Sequence, residues 1–319
     1  MSTVRYHIRH DTRYHYDQAV GESHQLLRLT PRTLPWQTCV AHRIEITPKP
    51  QHLRSFVDSF GNKVDALHFE AEHDKLIVRA EAWVELKPRP EIELADSPAW
   101  NDVRDALCYQ SGETISAELL EATAFRFESG YVRIKRDFAD YARDDFEPDV
   151  PLLMGVDALM RRIFADFTFD PEATDISTPV TTVFANRRGV CQDFAHFMIS
   201  CLRSLGLSAR YMSGYILTKP PEGKKRLIGA DATHAWLSVY CPRFGWVDFD
   251  PTNEIRPNLE HITIGWGRDF ADISPMRGII TGGGGHEPAI AVTVVPEDEF
   301  TELYTDADLP ALDLAGEKP

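Results

Sequence analysis

Arg188-Gly189-Val190-Cys191-Gln192-Asp193-Phe194-Ala195-His196 is the stretch on which the fold of this chain turns. A short helix is predicted over residues 180–186, with Pro179 in its first turn. Gly189 breaks the helical pattern and permits a tight turn. A second helix is predicted over residues 191–205. Phe194, Phe197, Met198, Cys201, Leu202 and Leu205 form its inward stripe, and Gly206 stops it. Cys191 therefore opens a helix. Unpaired N–H groups and the positive dipole end favour a thiolate there, and they offer donors to a developing oxyanion.

Two later segments carry complementary groups. Thr233-His234-Ala235-Trp236 supplies an imidazole, and Gly245-Trp246-Val247-Asp248-Phe249-Asp250-Pro251-Thr252 supplies carboxylates. A thiol, an imidazole and a carboxylate are the equipment of an activated cysteine nucleophile. His234 would take the thiol proton and return one to a leaving amine. His196 competes for that part, but five helical residues turn it about 140° away from Cys191. It is expected to support the site instead. Asp193, in the first helical turn, assists the N-terminus electrostatically, and Trp236 packs beside His234. Asp248 and Asp250 are two apart on one strand and face the same side. Alternation leaves the choice between them open.

Upstream, residues 4–17 alternate with period two and predict a half-buried antiparallel strand. Similar segments follow at 25–30, 40–47, 52–60, 63–70 and 76–86, with Gly61-Asn62 as a hairpin turn. Prolines at 88, 90 and 98 end the run. Helical patterns then occupy 116–125, 132–141 and, most clearly, 157–167. Downstream of Gly206 come strand-like stretches at 209–217, 234–240, 246–250 and 289–295. The expected class is α+β. A β-sandwich domain covers 1–90, a helical connection 91–154, a catalytic core 155–296 and an acidic tail 297–319.

Composition narrows the function. The net charge of −15 argues against a nucleic-acid partner. No apolar run is long enough to span a membrane. Residues 1–6 lack a signal-peptide core, so a cytoplasmic location is expected. Cys39, Cys108, Cys191, Cys201 and Cys241 are widely spaced and odd in number, which suits reduced thiols better than a disulfide scaffold. Neither Cys191 with His196 nor Asp248 with Asp250 gives a convincing metal spacing, so no metal or other cofactor is expected. Gly282–Gly285 lacks the phosphate-loop pattern and is read as a loop before the final strand.

At these residues the chain resembles the bacterial transglutaminase-like superfamily, in its cysteine-protease branch. The resemblance rests on residues 188–196, Ala209-Arg210-Tyr211-Met212-Ser213-Gly214-Tyr215, Asp231-Ala232-Thr233-His234-Ala235-Trp236 and 245–253. Residues 26–32 and Phe60-Gly61-Asn62 resemble the β domain that precedes the core in this branch, and residues 274–278 through 285–286 are also similar to it. The resemblance implies a papain-like core, a helix bearing the cysteine packed on an antiparallel sheet bearing His and Asp. It carries the nucleophile onto Cys191, the base onto His234 and, through Trp246-x-x-x-Asp250-Pro251-Thr252, the orienting carboxylate onto Asp250. The implied substrate is a peptide or protein with an amide or carboxamide bond, taken through a thioester on Cys191. Hydrolysis is favoured over amide transfer to an amine acceptor. The rival class is a binding module that keeps the fold without the chemistry.

Overall fold

The computed structural model describes residues 3–108, 116–218, 231–297 and 299. The polar stretch Pro220-Pro221-Glu222-Gly223-Lys224-Lys225, whose composition reads as a loop, and nearly all of the acidic tail lie outside them. Alternating hydrophobic segments form β1 (Val4–Leu27), β2 (Gln37–Thr47), β3 (His52–Val57), β4 (Lys63–Phe69) and β5 (His73–Leu86). The two strands expected at 4–17 and 25–30 are one continuous strand of 24 residues. Its register against β5 shifts between His15 and Val20. Beyond the shift, residues 23–27 pair with β4. An apolar cluster including Tyr16, Val20, Leu27, Phe69, Leu76 and Val78 joins the two halves of the sheet.

The helical stretch follows as α1 (Trp100–Ala106), α2 (Ala117–Thr123), α3 (Arg136–Ala142) and α4 (Leu152–Asp166). Then come β6 (Thr168–Phe169), α5 (Val180–Asn186), β7 (Arg188–Gly189) and α6 (Cys191–Ser204). The second sheet contains β8 (Ala209–Ile216), β9 (Thr233–Cys241), β10 (Gly245–Phe249) and β11 (His261–Gly267), in the order β10-β9-β8-β11 and antiparallel throughout. After α7 (Phe270–Ile273), the strands β12 (Met276–Gly282) and β13 (Pro288–Pro296) close the described chain. The turn between them contains Gly282, Gly283 and Gly284 at positive φ, which fits the loop expected there. No helix among the described residues is long and apolar enough to cross a membrane.

α6 packs on β8 and β9, and α3, α4 and α5 cover it from outside. Every residue from Asp193 to Arg203 is buried, so the helix has no exposed face rather than a single inward stripe. Phe197 lies at the centre, against Phe138, Phe167 and Phe184. Truncating such a ring costs about 3–5 kcal/mol. That packing fixes the axis of the helix, and with it the position of Cys191.

Three expectations are corrected. The polar face of β1 is buried in its middle, at His7, Arg9 and Asp11, where Arg9, Asp11 and Arg79 form an ion-paired row, at 3.0 and 2.8 Å. The predicted strand at 289–295 does not join the core sheet. It pairs with β1 as β13, and β12 pairs with β1 as well. The stretch expected as core thus sends its last two strands back to the N-terminal sheet. The fourth core strand is instead β11, whose two glycines weaken its strand pattern. Gly265 is needed there, since a Cβ would lie 2.4 Å from Asn62 Oδ1. Asn62 itself donates to the Trp266 carbonyl at 2.7 Å and accepts the Trp266 N–H at 3.1 Å. The Gly61-Asn62 turn thereby docks the N-terminal sheet on the core.

Candidate active site

Cys191 is the first residue of α6 and is partly exposed. Its N–H has no carbonyl one turn earlier to bond, so it remains a free donor of the helix end. Asp193 holds the entry to the helix. Its carboxylate accepts the Val190 N–H at 2.9 Å and the Thr174 hydroxyl at 2.6 Å. Burial pushes its pKa above the ordinary value, against the pull of those bonds. Gly189 makes room, because a Cβ there would sit 2.5 Å from Asp193 Oδ2.

His234 lies on β9 and is 7% exposed. Its Nε2 is 2.7 Å from Asp250 Oδ2, and the Cys191 thiol also hydrogen-bonds the ring. Burial alone would lower the His234 pKa. The bonds to Asp250 and Cys191 outweigh it and raise the value to about 10. Gly214, the register partner of His234, allows close packing, since a Cβ would fall 2.8 Å from the Trp236 ring.

The two candidate carboxylates separate clearly. Asp248 pairs in register with Ser238. Each aspartate reaches diagonally to the next same-face residue of β9. Asp248 Oδ2 accepts from Trp236 Nε1 at 3.0 Å and from Arg89 Nη1 at 2.7 Å. Asp250 meets His234. Asp250 is fully buried, and its Oδ1 accepts the Thr252 N–H at 3.0 Å in an Asx turn. The Asp-Pro-Thr sequence thus fixes the carboxylate's own orientation. Oδ2 accepts further from His261 Nε2 at 3.0 Å and Asn253 Nδ2 at 2.7 Å. Burial opposes ionisation, yet bonds from His234 and His261 hold the carboxyl well below the usual range. One oxygen taking three donors, each at hydrogen-bond distance, accounts for the buried His234, Asp250 and His261 group without an ion.

His196 does not enter this cluster. Its ring is stacked between Tyr131 and Tyr211, at 5.2 and 4.8 Å, and its Nε2 accepts the Phe270 N–H at 3.2 Å. Burial lowers its pKa to about 3. Trp236 is fully buried and stacks on His234 at 6.0 Å. Asp231, from the same motif as His234, turns away to accept the Val294 N–H at 2.8 Å.

Sequence reasoning missed three participants. Asn253 stood inside a quoted motif but had no assigned part. His261 lies on the strand that was not read. Arg89 sits between two prolines taken only as the end of a β run.

Comparison with known proteins follows the same division of the chain. A model described as the bacterial transglutaminase-like N-terminal region matches residues 6–85, and one for the transglutaminase-like superfamily matches residues 140–251. An "Uncharacterized protein" of Mycobacterium tuberculosis is 39% identical over 302 residues, covering 92% of this chain and 93% of that protein. A Pseudomonas aeruginosa "Protein-glutamine gamma-glutamyltransferase" is 30% identical over 135 residues, 38% of this chain and 20% of that one. The crystal structure of a "Putative Cysteine Protease" from Cytophaga hutchinsonii covers 93% of this chain and 92% of its own, with a TM-score of 0.71 at 19% identity. That likeness shows the fold, a papain-like mixture of helix and antiparallel sheet behind an N-terminal β region. The chain belongs to the transglutaminase-like superfamily.

Proposed function

We propose that this protein is a thiol enzyme that opens amide bonds of peptides or proteins through a thioester on Cys191. One observation carries the proposal: His234 is bonded through Nε2 to the buried Asp250, and the Cys191 thiol is close enough to act on the same ring. Membership of a superfamily whose members are typically enzymes acting on protein or peptide substrates supports it. Cys191, as thiolate, attacks a carboxamide or peptide carbonyl. The Cys191 N–H donates to the oxyanion. The amine or ammonia leaves with the proton from His234, and the thioester remains. Asp250 holds the ring in place and stabilises its imidazolium. Asp193, His196, Trp236 and Asp248 position these three groups.

Water then resolves the thioester. Hydrolysis is favoured because Cys191 is partly open to solvent. Amide transfer is the second reading, supported by the glutamyltransferase relative. We place the protein in the cytoplasm on its five free cysteines, two of them buried.

The test is mass spectrometry of a peptide library incubated with the protein, with and without a primary amine, beside a Cys191→Ala control. Cleaved or deamidated peptides that need Cys191 and ignore the amine are expected. Amine adducts as the main product would move the reaction to acyl transfer. No turnover, with Cys191 alkylated no faster than the other cysteines at about pH 6 and no effect of His234→Ala, would leave only a binding module.

A further inference from the structure

A second group of histidines stands on the exposed face of the N-terminal sheet. His24 on β1 is the register partner of His68 on β4, and His68 is the partner of His52 on β3. The three rings form a cross-strand row, with His24 and His68 stacked at 4.1 Å and His68 and His52 at 5.7 Å. Two carboxylates flank the row on the same face. Glu22 Oε1 lies 3.2 Å from His24 Nε2 and 3.0 Å from His68 Nε2. Glu70 Oε1 lies 3.7 Å from His68 Nδ1 and 3.4 Å from His52 Nε2.

We infer that Glu22, His24 and His68 form a binding site for a divalent transition-metal ion of the zinc class. Two imidazole nitrogens and a carboxylate oxygen are donors that suit such an ion, whereas calcium and magnesium prefer oxygen alone. The three donor atoms already lie within 4.8 Å of one another. Tetrahedral zinc, with bonds of about 2.0–2.1 Å, spaces neighbouring donors about 3.3 Å apart. The two nitrogen–oxygen separations, 3.2 and 3.0 Å, need to open by only a few tenths of an ångström, and the stacked His24 and His68 rings must turn about their side-chain bonds so that both Nε2 lone pairs meet at the ion. Glu70 faces the second ring nitrogen of His68, the place of an outer carboxylate that fixes the tautomer of a metal-bound histidine. Side chains of Glu22 and His24 are 53% and 59% exposed, so water completes the coordination.

The sheet supplies this geometry at little cost in conformational freedom. Direct cross-strand pairing sets the ring separation, and the i, i+2 relation puts Glu22 beside His24. An ion held there links β1 to β4. The unfolded chain lacks such an arrangement, so binding stabilises the folded sheet. The site shares no residue with the Cys191, His234 and Asp250 cluster.

Untagged protein titrated with Zn²⁺ by calorimetry, and with Co²⁺ by visible absorption, tests the inference. Cys191→Ala and a Cys39→Ser/Cys108→Ser variant are run in parallel, because these three accessible thiols could also bind zinc. The expected result is one tight equivalent, retained in both cysteine variants, with Co²⁺ bands that lack thiolate charge transfer. His68→Ala abolishes it, His24→Ala and Glu22→Gln weaken it more than about tenfold, and Glu70→Gln weakens it about tenfold. The zinc-induced rise in melting temperature disappears in His24→Asn, an exposed substitution that leaves the sheet intact. Unchanged affinity in a His24→Ala/His68→Ala double variant would overturn the inference. So would loss of binding in either cysteine variant, or no micromolar binding to the wild type.

Discussion

The molecule makes the same three-group arrangement twice. In the core, one oxygen of Asp250 accepts His234 at 2.7 Å and His261 at 3.0 Å. On the N-terminal sheet, one oxygen of Glu22 accepts His24 at 3.2 Å and His68 at 3.0 Å. The contacts are alike, but the surroundings are opposite. Asp250 is fully buried and has Thr252 and Asn253 as further donors. Glu22 is exposed. Burial makes every unmatched charge expensive, so the core cluster is locked into one protonation pattern. That suits it to orient a ring. Exposure leaves the second cluster open to an ion and to the water that completes its shell. Chemistry that looks the same in a list of contacts is sorted by solvent.

Asp250→Asn should break the core side of this comparison hardest. An amide in place of the carboxylate cannot accept all of these donors, and it loses the charge that favours an imidazolium. The rate of Cys191 alkylation and any peptide turnover should fall by at least about 10²-fold. Asp248→Asn should cost about tenfold, acting only through Trp236 and Arg89. Equal effects, or the reverse order, would reject Asp250 as the orienting group.

Acidity gives the next test. His234 is raised to about 10, so its stabilisation is complete below the ordinary histidine value near 6.5 and fades as pH climbs toward 10. Asp250 is depressed, so its contribution is present above about pH 4 and is lost on further acidification. The difference in melting temperature between wild type and Asp250→Ala should therefore be largest between about pH 4 and 6.5. His7 and His10, lowered to about 4 by burial, work against the fold in acid. Below about pH 6.5 the unfolded chain takes up protons that these rings refuse, so overall stability drops as pH falls. A difference that instead stays flat from pH 6.5 to 10 would show that the His234 ring is neutral in the folded protein.

Much of this was legible from the chain, for identifiable reasons. α5 and α6 carry their own punctuation in Pro179, Gly189 and Gly206. Cys191 and His234 declare their chemistry, and helix geometry already set His196 apart. The continuity of β1 was hidden by Asp17, Gln18 and Ala19, which interrupt the alternation and are all exposed where the register shifts. The destination of β12 and β13 was hidden because strand pairing is non-local, and alternation says nothing about the partner. Asp250 could be chosen over Asp248 only by resemblance, since both project from one face. His261 and Arg89 carried no signal at all. Their parts exist only where β11 and the segment after β5 meet β10.

His261 offers the finest cut. Burial lowers its pKa, so the ring is neutral, with Nε2–H donating to Asp250 and Nδ1 lacking a partner among the described residues. A structural histidine would ordinarily satisfy both nitrogens. His261→Phe keeps the bulk and removes the donor, leaving Asp250 one bond short. Stability should fall by about 1–3 kcal/mol, and Cys191 alkylation should slow about tenfold as the His234 ring loses its fixed partner. His261→Gln, which can still donate, should recover most of the alkylation rate. Glu22→Gln, the matching change on the exposed cluster, should leave both quantities unchanged in metal-free buffer. If His261→Phe lowers the melting temperature while alkylation stays at the wild-type rate, His261 is packing alone, and the likeness between the two clusters ends at their contacts.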